Sequence, residues 1–193
     1  MARLLLDPKQ IAAALAALHG QPLCGSHRAG DLQVFQFGEL REFIRERGRG
    51  KGELALRPDW GLHVQCSWRI TGPEGIVVAR RDLYYRAGDD PDLDWETFDY
   101  DRDPNRRTER MQEFLRQHEA KPLRVEAIAA DSVGGFRLEL SEGCCLEVWP
   151  DDSLPGEHWR LLRSENLDSH FVVTGEGIEV LARPNGPSER SGS

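Results

Sequence analysis

Apolar positions along this chain switch between two periods. Asp7-Pro8 opens a helix, with Asp7 as cap and Pro8 at the first helical position, where its missing N–H is not needed. Ile11, Leu15 and Leu18 then share one face, Gly20 can end the helix, and Pro22 bars its continuation. From Asp31 to Phe37 the phase Leu32, Val34 is interleaved with Phe35 and Phe37, the pattern of a strand buried on both faces, and a short helix is expected over Glu39 to Glu46. Arg47 to Gly52 alternates bases with glycine and reads as a flexible basic loop. Residues 53 to 70 read as a hairpin turning at Arg57-Pro58-Asp59, and Ile76 to Ala79, after Gly72-Pro73-Glu74-Gly75, as a further strand.

The second half resumes after residue 104. Asn105 can cap a helix running to about His118, with Met111, Phe114 and Leu115 on its apolar side. Strands are expected around 123 to 130, 135 to 141, 144 to 149, 158 to 163 and 170 to 174. The tail from Pro184 is rich in Gly, Ser and Pro and has little to bury, so it is expected to be disordered. Gaps between strands are too short for parallel crossovers, which makes the expected class α+β with antiparallel hairpins.

The two halves echo one another. Leu54-Ala55-Leu56, a turn and Leu62-His63-Val64 match Leu138-Glu139-Leu140, a turn and Leu146-Glu147-Val148 at a constant offset, and each half opens on a helix that runs into Pro-Leu. The spacing predicts two pseudo-repeated units, 1–83 and 105–182, each a leading helix followed by antiparallel strands. A connector, 84–104, joins them, and 183–193 is a tail. Matched spacing around a turn fixes register and facing side, so residues 53–66 and 137–149 are expected to be equivalent hairpins.

At 193 residues and 39% apolar content the chain is long enough for one sizeable core or two small ones. Cys24, Cys66, Cys144 and Cys145 are few, and the adjacent pair would make a strained bridge, so free thiols in a reducing cytoplasm are expected. No run of about 18 apolar residues is present, which argues against a membrane span.

Charge changes the picture most between Tyr84 and Asn105. Eight acids (Asp89, Asp90, Asp92, Asp94, Glu96, Asp99, Asp101, Asp103) face two bases there, giving −6 of the chain's −8. Runs of like charge usually make solvated linkers. Trp95, Phe98 and Tyr100 set this run apart, since aromatic anchors ringed by carboxylates suit a basic protein partner. The alternating oxygens of Asp90 to Glu96 and Asp99 to Asn105 look like calcium loops, but Trp95 and Pro104 occupy the position where such a loop needs glycine. No metal or cofactor is expected.

Cys24-x-x-His27 and His63-x-x-Cys66 have the spacing of half zinc sites, yet residues i and i+3 of a strand point to opposite faces. Ser67-Trp68-Arg69-Ile70 and His158-Trp159-Arg160-Leu161 repeat a Trp-Arg-aliphatic pattern, in which alternation puts the rings in the core and the arginines outside. The alternative is a small-molecule or metal-assisted enzyme with a pocket between the halves lined by His63, Trp68, His158 and Trp159. A nucleic-acid surface would use Arg41, Arg45, Arg47, Arg49 and Lys51, but the acidic net charge and the interspersed Glu42 and Glu46 oppose it.

Leu62-His63-Val64-Gln65-Cys66-Ser67-Trp68-Arg69-Ile70, followed by Arg81-Asp82-Leu83-Tyr84-Tyr85, resembles a family of uncharacterised small bacterial proteins, some of them similar to immunity proteins of toxin systems. The likeness covers about residues 54 to 85, with a fainter echo at 136 to 180, and carries no defined catalytic residues. It implies a cytoplasmic, non-enzymatic binder, and the acidic connector is compatible with masking a basic toxin.

Overall fold

A computed structural model describes residues 5–44, 51–88 and 97–182. Helix α1 spans Pro8–Leu15 and is prolonged by a 3-10 turn, Ala16–Leu18. Strands β1 (Leu23–Ala29), β2 (Leu32–Phe37), β3 (Arg41–Ile44), β4 (Leu54–Arg57), β5 (Trp60–Val64), β6 (Ser67–Gly72) and β7 (Gly75–Ala79) follow, and a second 3-10 turn covers Arg80–Tyr84. Helix α2 (Arg106–Gln117) precedes β8 (Val125–Ala130), β9 (Phe136–Leu140), β10 (Cys145–Trp149), β11 (Glu157–Arg163), β12 (Asn166–Thr174) and β13 (Ile178–Ala182). The class is α+β.

Both helices start where their caps place them. The Asp7 carboxylate accepts from Lys9 N–H at 2.9 Å, and Asn105 Oδ1 accepts from Thr108 N–H at 3.0 Å, each satisfying an amide that the first turn leaves unpaired. Ile11, Leu15 and Leu18 are fully buried, and α2 buries Arg107, Met111 and Phe114 along one stripe.

Two antiparallel sheets face each other. The first has the order β1-β2-β5-β11-β12-β13 and the second β7-β6-β10-β9-β8. Alternation sends Phe35, Leu62, Val64, Trp159, Leu161 and Val173 inward from the first sheet, and Trp68, Ile70, Leu138, Leu146 and Val148 inward from the second, making one shared core. The opposite face of the second sheet is polar: Glu147 receives Arg69 Nε at 2.6 Å, with Arg137 at 3.5 Å. The chain passes from one sheet to the other at Gln65-Cys66, where both amides donate to the carbonyl of His158 at 2.8 and 3.1 Å.

Each sheet draws strands from both halves of the chain, and the expected repeat is corrected at its centre. Residues 53–66 do not form a hairpin: among the described residues β4 pairs only with β3, while β5 lies between β2 and β11. Residues 137–149 do pair with each other, as β9 and β10. The leucines that match in sequence therefore differ in environment, Leu54 and Leu56 being 61% and 59% exposed and Leu138 and Leu140 buried. Pro58 cannot donate to a ladder, and the Asp59 side chain is taken instead by Glu39 N–H at 2.9 Å and Arg41 Nε at 2.6 Å. Those bonds fold 38–41 back over 57–59 and bring β3 beside β4.

The expected helix over Glu39 to Glu46 is likewise a correction, because Arg41–Ile44 is strand. Gly38 sets its direction, with φ of +93° and so little room that a Cβ would stand 2.6 Å from the Asp59 side chain. The expected disordered tail, Arg47, Arg49 and the middle of the acidic connector lie outside the described residues. Among the described residues no helix is long and apolar enough to cross a membrane.

All four cysteines are free thiols. Cys66 and Cys144 join the core, and Cys145 is buried on the neighbouring phase of its strand. Burial pushes the Cys66 thiol up to about 12 and those of Cys24 and Cys145 to about 11.

Candidate functional site

The described end of the acidic connector is a tight turn pinned to the body. Asp101 N–H donates to Asp99 Oδ1 at 3.0 Å, Asp103 N–H to the Asp99 carbonyl at 2.7 Å, and Asp99 N–H to Asp103 Oδ2 at 3.0 Å. These bonds let aspartates shape a turn whose carboxylates still reach solvent. Arg28, on β1, donates to the carbonyls of Tyr100 and Asp101 at 3.3 and 3.0 Å and sits 3.6 Å from the Asp101 carboxylate. From the other side Arg86 lies 3.7 Å from Asp103 and stacks its guanidinium over the Phe98 ring at 5.7 Å. Asn105, the cap of α2, donates to the Tyr100 carbonyl at 3.4 Å.

An aromatic surface results. Tyr100 meets Tyr84 edge-on at 5.3 Å, and Tyr84, Tyr85 and Tyr100 are 43%, 48% and 42% exposed. Asp99 and Asp101 flank Tyr100 with side chains 48% and 55% exposed. Phe98 is half-buried beneath Arg86. Asp89, Asp90, Asp92, Asp94, Trp95 and Glu96 lie outside the described residues. Tyr84 and Tyr85 were not anticipated as part of this surface; their sequence signal is two adjacent rings after Arg80-Arg81-Asp82-Leu83, where Leu83 alone is buried.

Behind the turn lies a cavity of about 460 Å³ between β1 and the start of α2, lined by Ser26, Arg28, Gln33, Arg102, Asn105 and Arg107 among others. Its polar wall is largely committed within the protein. Ser26 donates to the Val34 carbonyl at 2.7 Å, Gln33 to Ser26 at 2.7 Å, and Arg107 to the carbonyls of Asp31 and Gly30 at 3.3 and 3.1 Å. Arg107 is 1% exposed, and burial lowers its pKa to about 10. Asp31 also binds Arg80, which continues to Asp151 at 3.3 Å, so a chain of alternating charges ties the β1–β2 turn to α2 and to the end of β10.

His63, Trp68, His158 and Trp159 are not brought together around one cavity. Trp68 and Trp159 are buried on the inner faces of opposite sheets, where Trp68 meets Phe35 at 5.1 Å and Trp159 meets Phe136 at 4.8 Å. His158 is 3% exposed at an irregularity of β11. His63 projects from the opposite face of its sheet, beside Arg160. Burial there, with Arg160 adding to it, holds the imidazole below its ordinary pKa. Arg160, anchored by Glu157, points an N–H at His170 Nδ1 at 3.1 Å.

No family model, curated protein or solved structure matches this chain.

Proposed function

We propose that the protein is a non-enzymatic cytoplasmic binding module, an inhibitor of the immunity kind, which docks a basic protein partner through the turn at residues 97–103 and the tyrosines beside it. The observation that carries this reading is the exposed Tyr84–Tyr100 pair flanked by the carboxylates of Asp99 and Asp101, which pair with Arg102 at 3.5 Å and Arg28 at 3.6 Å and keep about half of their side-chain surface in solvent. Tyrosines supply large contact area at low entropic cost, and surrounding acids steer a cationic surface toward them. The turn is already held by Arg28, Arg86 and Asn105, so little ordering remains to be done on binding.

The test uses proteins encoded beside this gene, screened for binding by biolayer interferometry and then titrated. For a bound partner, the Tyr84→Ala/Tyr100→Ala double variant is expected to weaken affinity about 30-fold or more. Asp99→Lys/Asp101→Lys is expected to slow association and flatten its salt dependence, and because Asp99 Oδ1 also accepts from Asp101 N–H, the single Asp101→Asn variant, which leaves that bond in place, separates charge from turn geometry. A partner whose affinity and on-rate ignore both variants would remove the turn from the interface.

A further inference from the structure

We propose that the cavity between the β6–β7 turn, the end of α2 and the β9–β10 turn binds a primary ammonium group carried on a short apolar chain. This rests on residues apart from the tyrosine surface and does not depend on it. The cavity holds about 570 Å³, within the range of small-molecule sites, and is lined from three segments far apart in sequence, 72–77, 114–118 and 142–144. Part of its wall is apolar: Phe114 and Cys144 belong to the buried core and Val77 packs against it. Ile76 lines it too and is 57% exposed, apolar surface that the protein's own packing leaves open.

The polar part of the wall accepts. Its ionisable groups are Glu74, His118, Glu142 and the Cys144 thiol, with no lysine or arginine among the described residues that line it. His118 donates its Nδ1–H to the Phe114 carbonyl at 2.8 Å, so in the neutral ring Nε2 keeps its lone pair. That nitrogen stands 3.8 Å from Glu142 Oε2. An ammonium nitrogen seated about 2.8 Å from both would donate to each, with its chain against the apolar wall. The protein's own Lys121, which does not line the cavity, shows what this carboxylate takes: its Nζ donates to Glu142 Oε1 at 2.7 Å, and that bond holds the Glu142 carboxyl below its ordinary pKa.

Glu142 holds its place at a cost in backbone strain. Ser141 to Cys144 is a tight turn closed by Cys144 N–H donating to the Ser141 carbonyl at 3.4 Å, and its two central residues, Glu142 and Gly143, have φ of +61° and +70°. Asparagine, aspartate or glycine suits the first of these positions, and among the described residues Glu142 is the only non-glycine with positive φ. The turn itself gains nothing from a glutamate. What the strained position supplies is the carboxylate between Lys121 and His118 at the cavity wall.

Titration of the full chain with n-butylammonium chloride, followed by amide NMR against matched sodium chloride, tests this. The amide shifts of Glu74, Val77, His118 and Cys144 are expected to saturate with a Kd of about 1 mM or tighter. Glu142→Gln is expected to weaken binding about tenfold, and Lys121→Met, which removes a competing ammonium from Glu142, to strengthen it about threefold. The Glu142 and Lys121 side chains are 41% and 81% exposed, so both variants should fold, which circular dichroism melts would verify. N-acetyl-lysine methylamide separates two sources of the same group: affinity equal to that of butylammonium assigns the site to a lysine side chain, and weaker affinity to a free amine. Shifts that sodium chloride reproduces, affinity that Glu142→Gln leaves intact, or a Lys121→Met variant that binds no more tightly would overturn the proposal.

Discussion

Replacing Asp31 with alanine is expected to lower the unfolding free energy by roughly 2–3 kcal/mol, whereas Arg107→Met is expected to change it by less than about 1 kcal/mol. The asymmetry comes from burial. Arg107 is 1% exposed, and the Asp31 carboxylate, 3.5 Å away, is the anion that faces it. Removing that anion leaves a cation inside the protein with, among the described residues, the carbonyls of Asp31 and Gly30 to solvate it and no partner for its Nε. Removing the cation instead fills the same space with apolar volume and releases a carboxylate that is already 41% exposed and still bound by Arg80. That exposure keeps the first figure below the usual cost of breaking a fully buried pair. Urea unfolding of the two single variants and the double variant measures the coupling directly. If Asp31→Ala costs as much in the Arg107→Met background as in the wild type, the pair contributes nothing and the effect belongs to Arg80.

Trp159→Ala is expected to cost roughly 3–5 kcal/mol. Trp159 has no exposed surface, packs edge-on against Phe136 and tilted against Phe171 at 5.8 Å, and donates its indole N–H to the Gly134 carbonyl at 2.8 Å. Phenylalanine substitutions separate packing from hydrogen bonding. Trp159→Phe removes the donor and leaves a buried carbonyl unpaired, a further penalty of about 1–3 kcal/mol. Trp68 is as deeply buried, but its indole N–H has no partner, so Trp68→Phe removes an unsatisfied donor and loses only volume. The expected order of destabilisation in urea is Trp159→Ala, then Trp159→Phe, then Trp68→Phe. Equal costs for the two phenylalanine variants would show that the Gly134 bond adds nothing net.

Elements with local chemistry were legible in the sequence. Asp7-Pro8 and Asn105 mark both helix starts because a cap acts within three residues, and β9 with β10 follows from alternation closed by a short turn. Where the deciding interaction lies elsewhere in the chain, the pattern misleads. Leu54-Ala55-Leu56 has the same spacing as Leu138-Glu139-Leu140, but Asp59 binding Arg41 and Glu39 hands β4 to β3 and leaves the leucines facing solvent. Strand β1 escapes the pattern because Cys24, Gly25 and Ser26 interrupt any alternation, and β13 because its apolar run, Val180-Leu181-Ala182, is short and follows a Gly-Glu-Gly turn. At the candidate site, Tyr100 and its acids stand out by composition. The arginines that hold them do not, since Arg28 sits more than seventy residues from the backbone it binds.

The interleaving of the two halves governs how this chain can be made. Strand β5 lacks its second neighbour until β11 exists, and β6 lacks its own until β10 does. A nascent chain that has emerged only as far as the connector therefore presents Leu62, Val64, Trp68 and Ile70 without the second-half side chains that complete their cover. Closure of either sheet waits on pairings of high sequence separation, the kind that make folding slow and leave partly made chains open to aggregation. Synthesis must run through β12, which supplies Val173, before both sheets hold the strands that complete this core.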